Sequence, residues 1–178
     1  NYVYAYPLSQ KYNMKIIISP IGYSTDLYTE KEEDNANYSH LRWCQIREMM
    51  DSGMVEFQNH TYNLHGNNPG KRLGAKKLKG ESLEQYTELL ENDVSQMQRE
   101  MTAQTGYTPT TFVYPFGAIS DASLPILKEL GFQATLTCEE KINYITKDAD
   151  CLYGLGRYLR PAGMSSEEYF KNILREKQ

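Results

Sequence analysis

The chain has 178 residues, 19 Lys and Arg against 23 Asp and Glu, and a formal net charge of −4 at pH 7. That length suits one domain, able to bury roughly two-thirds of its chain surface, and the slight acidic excess offers no basic face of the kind that displaces counterions from a nucleic acid. No apolar run is much longer than Ile16-Ile17-Ile18, which excludes a transmembrane helix, and 3 Cys are too few for a disulfide-stapled mini-fold.

In chain order, residues 2–13 carry Tyr4, Ala5, Leu8 and Tyr12 at helical spacing. Residues 15–19 then read as a short buried strand closed by Pro20 and Gly22. The acidic stretch with Asp26, Glu30, Glu32, Glu33 and Asp34 is too polar for core and is expected to be a loop. Ser39 is the expected N-cap of a helix whose inner face is Trp43, Ile46 and Met50 and which ends at Gly53. Residues 55–58 alternate like a strand and run straight into Asn59 and His60. The segment 66–80, with Lys71, Arg72, Lys76, Lys77 and Lys79, has no periodicity and reads as a long solvated loop.

Ser82-Leu83-Glu84-Gln85 is a capping-box pattern that opens the longest helix. Its buried stripe is Leu83, Tyr86, Leu90, Val94, Met97 and Met101, and Gly106 ends it. A strand at 110–114 is stopped by Pro115. A helix through Leu124, Leu127 and Leu130 follows, ending at Gly131, and residues 133–137 form the next strand. Residues 142–145 and 155–159 are further strand candidates, and a last helix runs from the Ser165–Glu168 capping box to the C-terminus. Strands alternating with helices, without an internal repeat or a domain linker, imply βαβ units around a largely parallel sheet, closed as a barrel or doubly wound. In either form the chemistry belongs at the carboxyl ends of the strands.

Two compositional details bear on partners and on redox state. The 15 Tyr against 5 Phe and 1 Trp would suit wet, partly exposed surfaces that contact polar partners such as sugars. Cys44, Cys138 and Cys151 lie in no CxxC spacing, which argues against thiolate zinc ligation. A Cys138–Cys151 bridge is open to an oxidising compartment, with unpaired buried thiols the expectation.

The residues able to carry chemistry cluster at two strand ends. His60 and His65 lie five apart, a spacing that would put them on different faces of a helix but that a turn after a strand can bring onto one metal ion. The second strand end is Tyr114-Pro115-Phe116-Gly117, where Pro and Gly around an aromatic force a tight turn able to aim a backbone N–H into a cleft.

These motifs resemble those of the polysaccharide deacetylases, the NodB-homology or carbohydrate esterase family four domain. The stretch from Val55 to His65 is similar to the family's second motif, a His-Ser/Thr run ending in a second His, and its longer spacing resembles the poly-N-acetylglucosamine deacetylase branch. Tyr114-Pro115-Phe116-Gly117 is similar to the Pro-Tyr/Phe-Gly motif, and the flanks 5–15, 49–53 and 128–132 fit the same pattern. The resemblance covers nearly all of 1–178 as one domain and implies a distorted (β/α) barrel lacking its first strand. It also implies a hydrolase that removes N-acetyl groups from N-acetylglucosamine-containing polysaccharide outside or on the surface of a bacterial cell. His60 and His65, with an aspartate, would hold a divalent metal, zinc first, to polarise the acetamide and activate water. The Phe116 N–H would hold the oxyanion, Tyr62, Tyr114, Pro115 and Gly117 would line the substrate, and Thr61 would brace the His loop.

The resemblance also marks departures. The family's Asp-Asp-Gly motif, which supplies the base and the aspartate ligand, would fall a few residues before Asn1, which is read as a cut end or as the start of the ordered part of a longer protein. The catalytic base is therefore not expected in this chain. Thr111 occupies the place of the family's base-orienting Arg, leaving Arg157 as the candidate substitute. No late Leu-x-x-His motif is present, and His40 has no matching role. Two alternatives stand beside the deacetylase: a catalytically dead carbohydrate-binding module of the same fold, and a different metallohydrolase with a carboxylate from Asp26 or Asp121.

Overall fold

The computed structural model describes residues 1–67 and 71–175. Residues 68–70 of the 66–80 segment and 176–178 of the last helix lie outside the described residues. The elements are α1 (Ala5–Tyr12), β1 (Ile16–Ile18), α2 (Gly22–Lys31), α3 (Trp43–Asp51), β2 (Val55–Phe57), α4 (Leu83–Thr105), β3 (Thr111–Val113), α5 (Ser123–Glu129), β4 (Ala134–Leu136) and α6 (Ser166–Arg175), with 3-10 turns at Pro115–Gly117 and Ala149–Leu152.

The strands form one parallel arc. Ile16 to Ile18 pair with Val55 to Phe57, and Thr111 to Val113 pair with Ala134 to Leu136. An Asn59–Phe112 bridge joins the two pairs, and a Leu136–Leu155 bridge extends the arc. Alternation along β2 sends Val55, Phe57 and Asn59 toward the helices and Glu56, Gln58 and His60 toward the inside of the arc. Ile17 faces the same interior and is 57% exposed, so the inner face is open along β1.

Two apolar clusters fill the space between sheet and helices. One gathers Trp43, Ile46 and Met49 of α3 with Phe57, Met97 and Met101. The other gathers Tyr86, Leu90 and Val94 of α4 with Phe112, Tyr114 and Leu127. The long helix α4 serves both, its N-terminal half in one cluster and its C-terminal half in the other. Its start is the expected capping box, with Gln85 N–H donating to Ser82 Oγ and Ser82 N–H to Gln85 Oε1, both at 3.1 Å. Leu83 is 61% exposed, however, so the buried stripe begins at Tyr86.

Several expectations are corrected. The first part of the acidic stretch, with Asp26 and Glu30, is α2 and not a loop, while Glu32, Glu33 and Asp34 follow its end: the inner side of α2 is small and polar (Gly22, Thr25), which erased the apolar period. The N-cap of α3 is Arg42, not Ser39. Ser39 Oγ instead accepts from Asn35 N–H at 2.8 Å, and Thr29 Oγ1 of α2 receives the Trp43 N–H at 3.0 Å. Met49 is fully buried in α3, and Met50 only packs against the cluster. Residues 142–145 form no strand, with Tyr144 and Ile145 mostly exposed, and of 155–159 only Leu155 joins the sheet. All three cysteines are free as expected, but Cys44 and Cys138 are exposed and Cys151 half-buried. No helix of the described residues is long and apolar enough to cross a membrane.

Candidate functional site

The site grows from the ends of β2 and β3. Asn59, outward-facing and fully buried, anchors the chain to α4 by donating from Nδ2 to the Val94 carbonyl at 3.1 Å, while its Oδ1 accepts from Thr61 N–H at 2.9 Å. Thr61 is buried at φ 71°, an uncommon conformation for a β-branched residue. The left-handed residue turns the chain sharply, so that His65 returns beside His60 with ring centroids 5.0 Å apart. The segment between them is clamped by Asp93 of α4, whose two oxygens accept from the Tyr62 and Asn63 N–H groups at 2.8 Å each. The first N–H groups of α2 donate to the carbonyls of Thr61 and Tyr62. Gly22 makes this contact feasible, because a Cβ there would lie 2.5 Å from the Tyr62 ring and 2.8 Å from Met97 Sδ.

His60 Nδ1 lies 2.6 Å from the Val113 carbonyl. A carbonyl can only accept, so Nδ1 carries the proton and Nε2 keeps its lone pair. Burial pushes the His60 pKa down to about 4, helped by the neighbouring His65 and Arg157 charges and opposed by the Val113 bond. Burial lowers His65 as well. Both imidazoles are therefore neutral near pH 7, the form that binds metal ions.

The Pro115–Gly117 turn faces this pair. Phe116 has φ 57° and ψ 11°, Gly117 has φ 63°, and the Phe116 ring centroid is 4.3 Å from that of His65. Gly117 N–H donates to the Tyr114 carbonyl and Ala118 N–H to that of Pro115, whereas Phe116 N–H has no partner among the described residues. Gly117 also packs on Cys138, whose Cβ and backbone N would each be 2.9 Å from an added Cβ. Tyr114 and Pro115 are buried, with Tyr114 OH bonded to Ser123 Oγ at 2.8 Å. These two residues therefore shape the turn from beneath, while Phe116 and Gly117 present it.

Arg157 and His40 border the pair from distant segments. A cavity of about 380 Å³ is shared by His60, Ser19, Ile17, Val113, Leu136 and Arg157. Arg157 is held there by Nε donating to the Thr137 carbonyl at 2.7 Å, and its Nη2 lies 3.3 Å from Cys138 Sγ. His40 lines a second cavity, of about 310 Å³, with His60 and Thr25, whose buried Oγ1 has no hydrogen-bond partner among the described residues. Arg157 is the substitute that the sequence offers for the base-orienting Arg, whereas no local pattern around His40 or Asp93 distinguishes them from surface residues. Only the assembled fold brings them together.

Neither carboxylate considered for a different metallohydrolase serves it. Asp26 accepts from Trp43 Nε1 at 2.7 Å and from Tyr62 OH at 2.8 Å, so both its oxygens are engaged, and Asp121 is exposed in the turn before α5. The donors of the two histidines fit half of a divalent-metal site. Among the described residues no group of three or more His, Cys, Asp or Glu is placed to hold an ion.

Comparison with known proteins bears on this arrangement of strand-end histidines and oxyanion-type turn. A family model described as polysaccharide deacetylase matches residues 1–135. The chain belongs to the polysaccharide deacetylase family. It is 25% identical over 178 residues to a poly-beta-1,6-N-acetyl-D-glucosamine N-deacetylase of Staphylococcus aureus, covering 98% of this chain and 53% of the relative. A protein of the same description from Staphylococcus epidermidis is 25% identical over 176 residues, again covering 53% of its length. The chain thus spans about half the length of the curated relatives it matches. Among solved structures, a de-N-acetylase from Aggregatibacter actinomycetemcomitans superimposes with a TM-score of 0.77 at 28% identity, over 97% of this chain and 70% of that one. IcaB from Ammonifex degensii superimposes with a TM-score of 0.75 at 22% identity, over 99% and 68%, a likeness of fold. The open parallel arc with its outer helices is the deacetylase fold of this family.

Proposed function

We propose that the protein to which these residues belong is a metal-dependent hydrolase that removes N-acetyl groups from an N-acetylglucosamine polymer at or outside the bacterial cell surface. The observation that carries the reading is the His60–His65 pair packed against the Pro115–Gly117 turn, where the Phe116 N–H has no partner among the described residues. His60 Nε2, its tautomer fixed by Val113, and the His65 imidazole would hold a divalent ion, zinc first by its preference for nitrogen ligands. Such an ion, when bound, supplies Lewis acidity toward the amide oxygen and a water of lowered pKa. The Phe116 N–H donates to the oxygen that gains negative charge, from a turn whose geometry is set before substrate arrives. Thr61 and Asp93 keep the loop that bears the histidines in place. The general base and a carboxylate ligand would come from residues outside these 178. The names of the relatives support poly-β-1,6-N-acetylglucosamine as the polymer.

Full-length protein should release acetate from β-1,6-linked N-acetylglucosamine oligomers. His60→Ala or a chelator should abolish release, and activity surviving both would sink the proposal. A second reading, a sugar-binding module without turnover, is favoured by the absence of a third metal donor among the described residues. Oligomer binding with no acetate release, from a gene that encodes no Asp-Asp-Gly upstream of Asn1, would select it.

A further inference from the structure

A surface depression lies apart from the two cavities at His60. It is a groove of about 960 Å³ between the His-bearing loop, the 78–81 segment and one face of α4. The floor is drawn by sequence spacing. Glu88, Asn92 and Gln96 stand four residues apart on α4, so they form a single row along the helix, about 12 Å from end to end at 1.5 Å per residue. None of the three side chains has a hydrogen-bond or ion-pair partner among the described residues. Asn63 and Leu64, next to His65 in the loop, form one wall, and Leu78 stands on the other.

Both walls are fixed. Asp93 clamps Tyr62 and Asn63 onto α4. Glu81 ties the opposite wall, pairing with Arg72 where both side chains are largely buried and accepting from the Leu78 N–H at 2.9 Å. The stretch that leads into this wall abuts the oxyanion-type turn, because Gly74 packs so closely on Pro115 that a Cβ would lie 2.6 Å from its carbonyl oxygen. The groove is therefore built from the segments that hold His65 and Phe116 in place.

The lining suits one kind of occupant. Amide side chains both donate and accept, as sugar hydroxyl and acetamido groups do, and the leucines offer apolar patches for the C–H faces of pyranose rings. A row of such groups, rather than a closed pocket, matches an extended chain. We propose that this groove binds the polymer beyond the sugar being deacetylated, with Asn92, Gln96 and Glu88 contacting successive residues of an extended amino-sugar chain. The choice of polymer rests on the deacetylase reading, while the groove itself is tested without turnover.

In the full-length protein carrying His60→Ala, binding of β-1,6-linked N-acetylglucosamine hexamer and dimer is measured by calorimetry. Adding Asn92→Ala and Gln96→Ala should weaken hexamer binding about tenfold, as expected for the loss of two hydrogen bonds. Dimer binding, confined to the His-bearing end, should change much less. Asn92→Arg, which fills the groove from an exposed helical position, should act in the same direction, and an unaltered melting temperature shows that neither change acts through the fold. Unchanged hexamer affinity in both variants, or equal loss for dimer and hexamer, overturns the groove. If the full-length protein with His60 intact releases no acetate, hexamer binding that depends on Asn92 keeps the groove and discards the deacetylase. Acetate release with hexamer affinity indifferent to Asn92 and Gln96 would do the reverse.

Discussion

Between pH 4 and 6.5 the folded and unfolded forms of the metal-free chain hold different numbers of protons, and His60 is a principal reason. Its folded pKa is about 4 against an ordinary 6.5, so in that window the unfolded chain binds the extra proton. The contribution to stability is full above pH 6.5 and is lost as pH falls toward 4, by at most about 3 kcal/mol. Urea unfolding at pH 7 and pH 5 should show the loss, and His60→Gln should flatten the difference; equal slopes in both proteins would contradict it. Gly117 is the second sensitive residue. Alanine there must adopt φ 63° and meet Cys138 at 2.9 Å, so the turn should shift and displace the Phe116 N–H. The expected outcome is a folded protein destabilised by about 1–3 kcal/mol, with kcat for deacetylation down by roughly 10–100-fold and KM less affected. The histidine pair and the Pro-Phe-Gly turn were legible because each is written in a few consecutive residues. Asp93 and His40 were not, because their part is defined only by what the folded chain brings to them.

At the scale of elements, α2 shows why a helix can escape detection. Its inner face is small and polar, and its packing consists largely of hydrogen bonds: two N–H groups to the His loop, Asp26 to Trp43 and Tyr62, and Thr29 to the start of α3. A period search looks for apolar stripes, and α2 has none to offer. The same contacts explain the misplaced start of α3, whose cap arrives from another helix instead of from Ser39. Thr29→Val keeps the shape of the side chain and removes that cap. It should cost about 1 kcal/mol and lower Tm by about 2–4 °C, read by calorimetry. By contrast α4 was legible almost in full, because its capping box, its buried stripe and its terminal glycine agree with one another. The late strands failed for the opposite reason: residues 142–145 have apolar side chains but no sheet edge to join, and Tyr144 and Ile145 stay in solvent.

For the molecule as a whole, the alternation of strands and helices was enough to foresee a parallel sheet, and the arc from β1 through Leu155 realises it. What the alternation could not supply is how the two cores are connected, since that depends on the length and path of α4. Leu90 and Val94 belong to one cluster and Met97 and Met101 to the other, and Asp93 sits at the junction with its carboxylate on the Tyr62 and Asn63 amides. Releasing those amides requires loosening the one helix that both cores share. In native-state hydrogen–deuterium exchange, Tyr62 and Asn63 should therefore be protected to nearly the free energy of global unfolding, although Asn63 is surface-exposed and both belong to a loop. Exchange at the rate of a free loop would contradict this. Loops that bind ligands usually come from the least stable part of a protein, but this one is anchored to its most cooperative part, so its histidines should keep their spacing until the entire domain melts.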